Sequence, residues 1–300
     1  MSYTFGFIGV GNMGGALARA ACRWRPEQVV VTNRTLDKAA ALAEELDCDL
    51  AMNNETVARD AKFIFLGVKP HMMGELLQSL APVLAARGDR YVLVSMAAGL
   101  TIGRLVEMLG FRAPVLRIMP NTPVAIGQGM VLYTACPGVQ PAELEEFCDK
   151  MAGAGRLDAI DEALMDAASA VAGCGPAFVY QFLEALADGG VACGLPRKKA
   201  IEYAAQTLAG AAGMVLESGK HPGQLKDEVC SPGGSTIQGV RVLEEHGLRG
   251  AVMEGKAASM FIPECAGRVW LPGLSPDRRQ RHTRVQAAVS CTRGCRGTPR

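Results

Sequence analysis

Six residues near the N-terminus, Gly9-Val10-Gly11-Asn12-Met13-Gly14, constrain the fold of this chain more than any other feature. They follow an apolar, β-forming run at residues 5–8 and open a helical stretch at residues 12–24. Glycines at this spacing between a strand and a helix form the turn of a βαβ unit. The first allows a tight turn, the second lets the backbone approach a phosphate, and the third lets the helix lie close to the strand. The N–H groups and dipole of the helix N-terminus then favour an anion. Gly9, Gly11, Asn12, Met13 and Gly14 are therefore expected to hold the pyrophosphate of a dinucleotide.

The pattern continues. Runs at 29–32, 63–66, 91–94, 115–118 and 130–133 read as strands, with helical stretches at 36–46, 72–86 and 102–109 between them. Strands alternating with helices predict a parallel sheet covered on both faces. From residue 161 the β-rich runs stop and an Ala-, Leu- and Gly-rich helical pattern continues to about residue 260. The expected fold class is α/β: an N-terminal Rossmann-type parallel sheet over 1–160, then an all-α dimerisation domain over 161–265. Helices such as 200–216 carry little polar surface, which a domain of this size cannot bury alone, so a homodimer is expected. Aromatics make up only 5% of residues, which predicts a core mainly of Ala, Val, Leu, Ile and Met.

The end of the second strand indicates which dinucleotide. A site for NAD usually places a carboxylate there for the ribose hydroxyl. This chain has Asn33-Arg34-Thr35, with no acid before Asp37. Arg34 can pair with a ribose phosphate while Asn33 and Thr35 donate hydrogen bonds, so NADPH is preferred and NADH is a second option. Val68, Lys69 and Pro70 follow the strand at 63–66, and Ala97, Ala98 and Gly99 follow that at 91–94. Both trios, together with Asn53, are assigned to the cofactor.

Charge and cysteine usage narrow the class. Residues 266–300 hold eight Arg against one Asp, a local +7, so the rest of the chain carries −6 within a total of +1. An acidic body with a short basic tail, read as disordered, is not the profile of a nucleic-acid binder. The ten Cys are scattered singly without metal-ligand spacing, so no metal is expected and the thiols read as reduced. No leader is recognised at the N-terminus, and no apolar run is read as approaching the ~18 residues of a membrane span. The expectation is a cytoplasmic protein without a membrane partner.

Near the end of the helical half, Ser231-Pro232-Gly233-Gly234-Ser235-Thr236 precedes a helix. Glycines there expose several N–H groups to one point, suited to a carboxylate, although the same pattern fits a helix cap without a ligand. The longer stretch from His221-Pro222-Gly223 through this loop to Gln238-Gly239-Val240 closely resembles the signature of pyrroline-5-carboxylate reductases. So do Met119-Pro120-Asn121-Thr122-Pro123 and Gly173-Cys174-Gly175-Pro176-Ala177-Phe178. The resemblance runs from the N-terminus to about Met253.

It implies NADPH-dependent reduction of 1-pyrroline-5-carboxylate to L-proline by a homodimer, with a larger assembly of dimers as the alternative. The substrate, a small imino acid, would lie between the cofactor and the 231–236 loop. Thr236 would meet the ring nitrogen, with Ser231 in the same loop, Asn121 would order the region beside the nicotinamide, and Gly233, Gly234 and Ser235 would hold the carboxylate. The lone His71, His221 and His246 are given no catalytic part. Two departures stand out. Cys174 replaces a common Ser, and Gly255, Pro263, Gly267 and Pro272 are expected to interrupt the last helix. A β-hydroxyacid dehydrogenase is the alternative enzyme, but residues 177–193 lack the helix-borne Lys it needs. A non-catalytic NADPH-binding protein is the alternative of another class.

Overall fold

The computed structural model describes residues 2–259. Its first part alternates β1 (Tyr3–Ile8), α1 (Asn12–Cys22), β2 (Val29–Thr32), α2 (Leu36–Leu46), β3 (Asp49–Leu50), α3 (Asn54–Asp60), β4 (Ala61–Leu66), α4 (Met73–Ala85), β5 (Val92–Ser95), α5 (Ile102–Leu109) and β6 (Val115–Pro120). Then come β7 (Gly129–Ala135), α6 (Pro141–Lys150) and β8 (Gly155–Ala159). The strands form one sheet in the order β3-β2-β1-β4-β5-β6-β7-β8.

Strand side chains alternate between two cores, as the period of two requires. Phe5, Phe7, Val29, Val31, Phe63, Phe65, Val92 and Val94 face α1, α2 and α6. Ile8, Val30, Ile64, Leu66, Leu93 and Val115 face α3, α4 and α5. The first core is more aromatic than the composition suggests. Phe7 stacks on Phe65 with ring centroids 4.2 Å apart, and Phe147 of α6 closes over Phe5, Phe63 and Phe65. A low aromatic fraction thus conceals a concentrated cluster on one face.

The sheet is not wholly parallel, contrary to the sequence expectation. β7 runs antiparallel to β6, with Ile118 opposite Tyr133, and β8 is parallel to β7. Only residues 121–128 join β6 to β7, largely as a 3-10 turn over Thr122–Ile126. That is shorter than the crossover a parallel pair needs.

From Met165 the described chain is helical: α7 (Met165–Ala172), α8 (Gly175–Ala192), α9 (Arg197–Ser218), α10 (Pro222–Glu228), α11 (Ser235–Glu245) and α12 (Leu248–Ser259). α8 packs on α9 around Ala187, Ala200 and Ala204, and α12 on α7. The sheet and these helices belong to one compact unit. Little else of the helices is buried within the chain: Tyr180, Phe182, Ile201, Tyr203, Met214 and Leu216 are all exposed. The expected break at Gly255 does not occur. α12 continues to Ser259, because an internal Gly weakens a helix by only about 1 kcal/mol relative to Ala. Pro263, Gly267, Pro272 and the whole 266–300 tail lie outside the described residues.

One sequence expectation about apolar runs is also corrected. Residues Glu162–Ala192 form a helical run long and apolar enough, by length and composition, to cross a membrane, and 11% of its most apolar window is buried. Only Gly173 and Cys174 separate α7 from α8, so two short apolar helices add up to one long stretch.

Candidate active site

The carboxyl ends of four strands are in register. Ile8 of β1 is paired with Thr32 of β2 and Leu66 of β4, and Leu66 with Ser95 of β5. The segments that follow them, 9–14, 33–35, 67–70 and 96–99, therefore leave one sheet edge side by side. Asn53, two residues beyond Ala51, belongs to the same edge through β3.

Sterics dictate the glycines here. Gly9 has φ +93, and a Cβ on it would stand 2.7 Å from the carbonyl oxygen of Gly67. A Cβ on Gly14 or on Gly67 would stand 2.1 or 2.2 Å from the Gly9 carbonyl oxygen. The first and third glycines thus serve the close packing of turn, helix and β4. Gly11 differs: a Cβ there would meet nothing within 4 Å. It is the exposed N-cap of α1 and has no side chain to shield the helix N–H groups, so the helix N-terminus opens outward as an anion cradle. Gly67 was missed as a site residue; its signal was a glycine immediately after a strand that adjoins β1.

Asn33 is bonded to backbone at both ends of its side-chain amide. Its Oδ1 accepts from the N–H of Val10 at 3.3 Å, and its Nδ2 donates to the Thr35 carbonyl at 3.1 Å. It fastens the glycine turn to the end of β2. Arg34 and Thr35 are exposed beside it, and among the described residues neither side chain has a hydrogen-bond or ion-pair partner. Lys69 is likewise exposed and unpaired, at the N-cap of the Pro70–Met72 turn. Asn53 caps α3, its Oδ1 accepting from the Thr56 N–H at 2.8 Å. Gly99, at φ +75, turns the chain into the α5 cap, while Ala97 is buried.

Asn121 is also a fastener. Its Nδ2 donates to the Ala172 carbonyl and its Oδ1 accepts from the Met130 N–H, both at 2.9 Å. One side chain thus joins the end of β6, the start of β7 and the end of α7. Both polar ends are engaged by backbone, which fixes the orientation of the side chain.

In the 231–236 loop, Gly233 has φ +71 and the Gly234 N–H donates to the Ser231 carbonyl at 3.0 Å. Gly234 is the N-cap of α11, again without a side-chain cap. The hydroxyls of Ser231, Ser235 and Thr236 are exposed and have no hydrogen-bond partner among the described residues. The loop is a second outward-facing helix N-terminus with free hydroxyls. Within this chain it makes no hydrogen bond to the sheet edge. His221 accepts from the Gly223 N–H and His246 meets the Val242 carbonyl, so both serve local helix ends.

Comparison with known proteins gives the family. Residues 4–99 match the family described as NADP oxidoreductase coenzyme F420-dependent, and residues 162–260 match pyrroline-5-carboxylate reductase dimerisation. The chain is 40% identical over 263 residues to pyrroline-5-carboxylate reductase of Escherichia coli strain K12, covering 87% of this chain and 97% of that one. It is 39% identical to that of Pisum sativum over 260 residues, 86% and 94% of the two chains. Among solved structures, pyrroline carboxylate reductase of Plasmodium falciparum with NADP bound superposes with TM-score 0.75 at 33% identity, over 86% of this chain and 95% of that one. These matches span more than four fifths of this chain and of each relative, and the chain belongs to the pyrroline-5-carboxylate reductase family.

Proposed function

We propose that this chain, as a homodimer, reduces 1-pyrroline-5-carboxylate to L-proline with NADPH. The observation that carries the cofactor half is the open helix cradle at Gly11 beside an unpaired Arg34, with no carboxylate at the end of β2. The first group suits a pyrophosphate and the second a ribose phosphate. When bound, NADPH supplies the hydride. Lys69, Val68 and Pro70 border the ribose side, and Ala97, Ala98 and Gly99 leave room for a planar ring.

The remaining task is to hold and orient the imine. A protonated ring nitrogen already makes the adjacent carbon electrophilic, so the chain needs no strong acid, and alignment dominates. The N–H groups ahead of α11, at Gly233, Gly234 and Ser235, suit the substrate carboxylate, and the Thr236 hydroxyl suits the ring nitrogen, with Ser231 beside it. Asn121 holds the neighbouring backbone in place. The exposed apolar faces of α8 and α9 are covered by the partner chain, which also accounts for the long apolar run from Glu162. A larger assembly of dimers and a cytoplasmic setting, where the free thiols stay reduced, belong to the same reading.

The β-hydroxyacid dehydrogenase reading fails on α8, which has no Lys. The test is product analysis after incubation with NADPH and pyrroline-5-carboxylate. Proline formed one for one with NADPH consumed is expected; oxidation of a 3-hydroxy acid without imine reduction would overturn the assignment.

A further inference from the structure

β6 is apolar except for Arg117, whose side chain is 2% exposed. Its Nη1 donates to Glu162 Oε1 and its Nη2 to Asp166 Oδ1, both at 3.2 Å. Among the described residues the buried Nε has no partner. A buried guanidinium costs desolvation, and an apolar residue at such a place is often as stable or more so. Stability is therefore a weak reason for an arginine here; location is a better one.

The guanidinium and its acids join three elements. Arg117 lies opposite Ser95, the last residue of β5 before the 96–99 segment. Glu162 Oε1 also accepts from the N–H of Ile102, the first residue of α5, at 2.8 Å. Asp166 lies in the first turn of α7, which opens the helical half. A small apolar cluster of Met119, Leu132 and Met165, with Ala98 against it, fills the same joint. One side chain thus ties the strand beside the ring-binding loop both to that loop's exit and to the start of the helices.

We propose that Arg117 is a positioning residue for the hydride step. Through Glu162 and Asp166 it fixes where the helical half starts relative to the 96–99 loop. In a two-fold dimer that orientation places the 231–236 loop of both chains over the ring-binding edge. The planar fork reaches two carboxylates at once, which a single ammonium does less well. This inference rests on the functional reading above.

The test compares the parent dimer with Arg117→Met, Arg117→Lys and, because Arg117→Met alters a buried site, Glu162→Gln. Dimer state is followed by light scattering, NADPH binding by titration, and turnover with pyrroline-5-carboxylate. Misplacing reacting atoms by about an ångström costs up to about a hundredfold. Arg117→Met and Glu162→Gln should lower kcat/KM for the imine tenfold or more. NADPH affinity should stay within about twofold and the dimer intact, with Arg117→Lys between them and the parent. Turnover unchanged in both Arg117→Met and Glu162→Gln overturns the inference, as does a fall in NADPH affinity equal to the fall in turnover. If the parent itself fails to reduce the imine, the functional reading falls, and the joint is judged by amide exchange. Faster exchange in α7 of Arg117→Met, with α1 unchanged, supports it; unchanged exchange in α7 overturns it.

Discussion

The backbone N–H of Val10 donates to Oδ1 of Asn33 at 3.3 Å, so the glycine turn is held by the residue that follows the neighbouring strand β2. Loss of that acceptor leaves the Val10 N–H unpaired and the turn less fixed. Asn33→Ala should weaken NADPH binding several-fold and lower stability by about 1 kcal/mol. Calorimetric titration together with thermal unfolding checks this. Unchanged affinity would mean that the turn holds its shape without Asn33.

Arg34 stands next to that fastener with no partner of its own. If it pairs with the ribose phosphate, Arg34→Ala should raise KM for NADPH about tenfold, equivalent to about 1.4 kcal/mol, and leave KM for NADH within about twofold. Equal effects on both cofactors would remove Arg34 from cofactor discrimination.

The free hydroxyl of Thr236 is assigned to the imine nitrogen. Thr236→Ala should lower turnover about tenfold, the cost of about one hydrogen bond, while NADPH affinity is unchanged. Steady-state kinetics identical to the parent's would exclude a catalytic part for Thr236.

Away from the site, Glu143 at the start of α6 is buried and accepts from Arg90 Nε and Nη2, each at 2.8 Å, and from the Gln140 N–H. The Arg90 hydrogen bonds hold its carboxyl below the usual value, against the upward push of burial, with the Gln140 N–H and the charges of Arg90 and Lys62 assisting. A carboxyl depressed in the folded state stabilises fully above its unfolded pKa of about 4.3 and loses that contribution as pH falls through the folded value. Glu143→Gln should therefore be less stable than the parent by about 1–2 kcal/mol at pH 7. The gap should close below about pH 4. Denaturant unfolding across that range checks it; a gap that persists unchanged at pH 3 would contradict the sign.

The sequence was most legible where backbone geometry forces a residue type. Gly9 and Gly14 have no tolerable Cβ, so the motif and the strand–turn–helix around it could be read together. β7 was recognised as a strand, but its direction depended on the eight-residue connection after β6, which no periodicity displays. Asn33 and Asn121 were singled out, yet their partners Val10, Met130 and Ala172 are backbone atoms up to 51 residues away in sequence. Hydrogen bonds at that separation leave no trace in local pattern. Arg117 stands in an otherwise apolar strand, where local pattern assigns a single charge no role. Its partners Glu162 and Asp166 lie beyond three further elements, β7, α6 and β8.

In the proposed reaction, hydride passes from the nicotinamide to the imine carbon of pyrroline-5-carboxylate on this protein. The most direct measurement is incubation of the dimer with pyrroline-5-carboxylate and NADPH carrying two deuterons at nicotinamide C4, followed by mass and NMR analysis of the product. Proline about 1 Da heavier, with the deuteron on ring carbon C5, is expected. Unlabelled proline, or no proline from a folded dimer that binds NADPH, would contradict it.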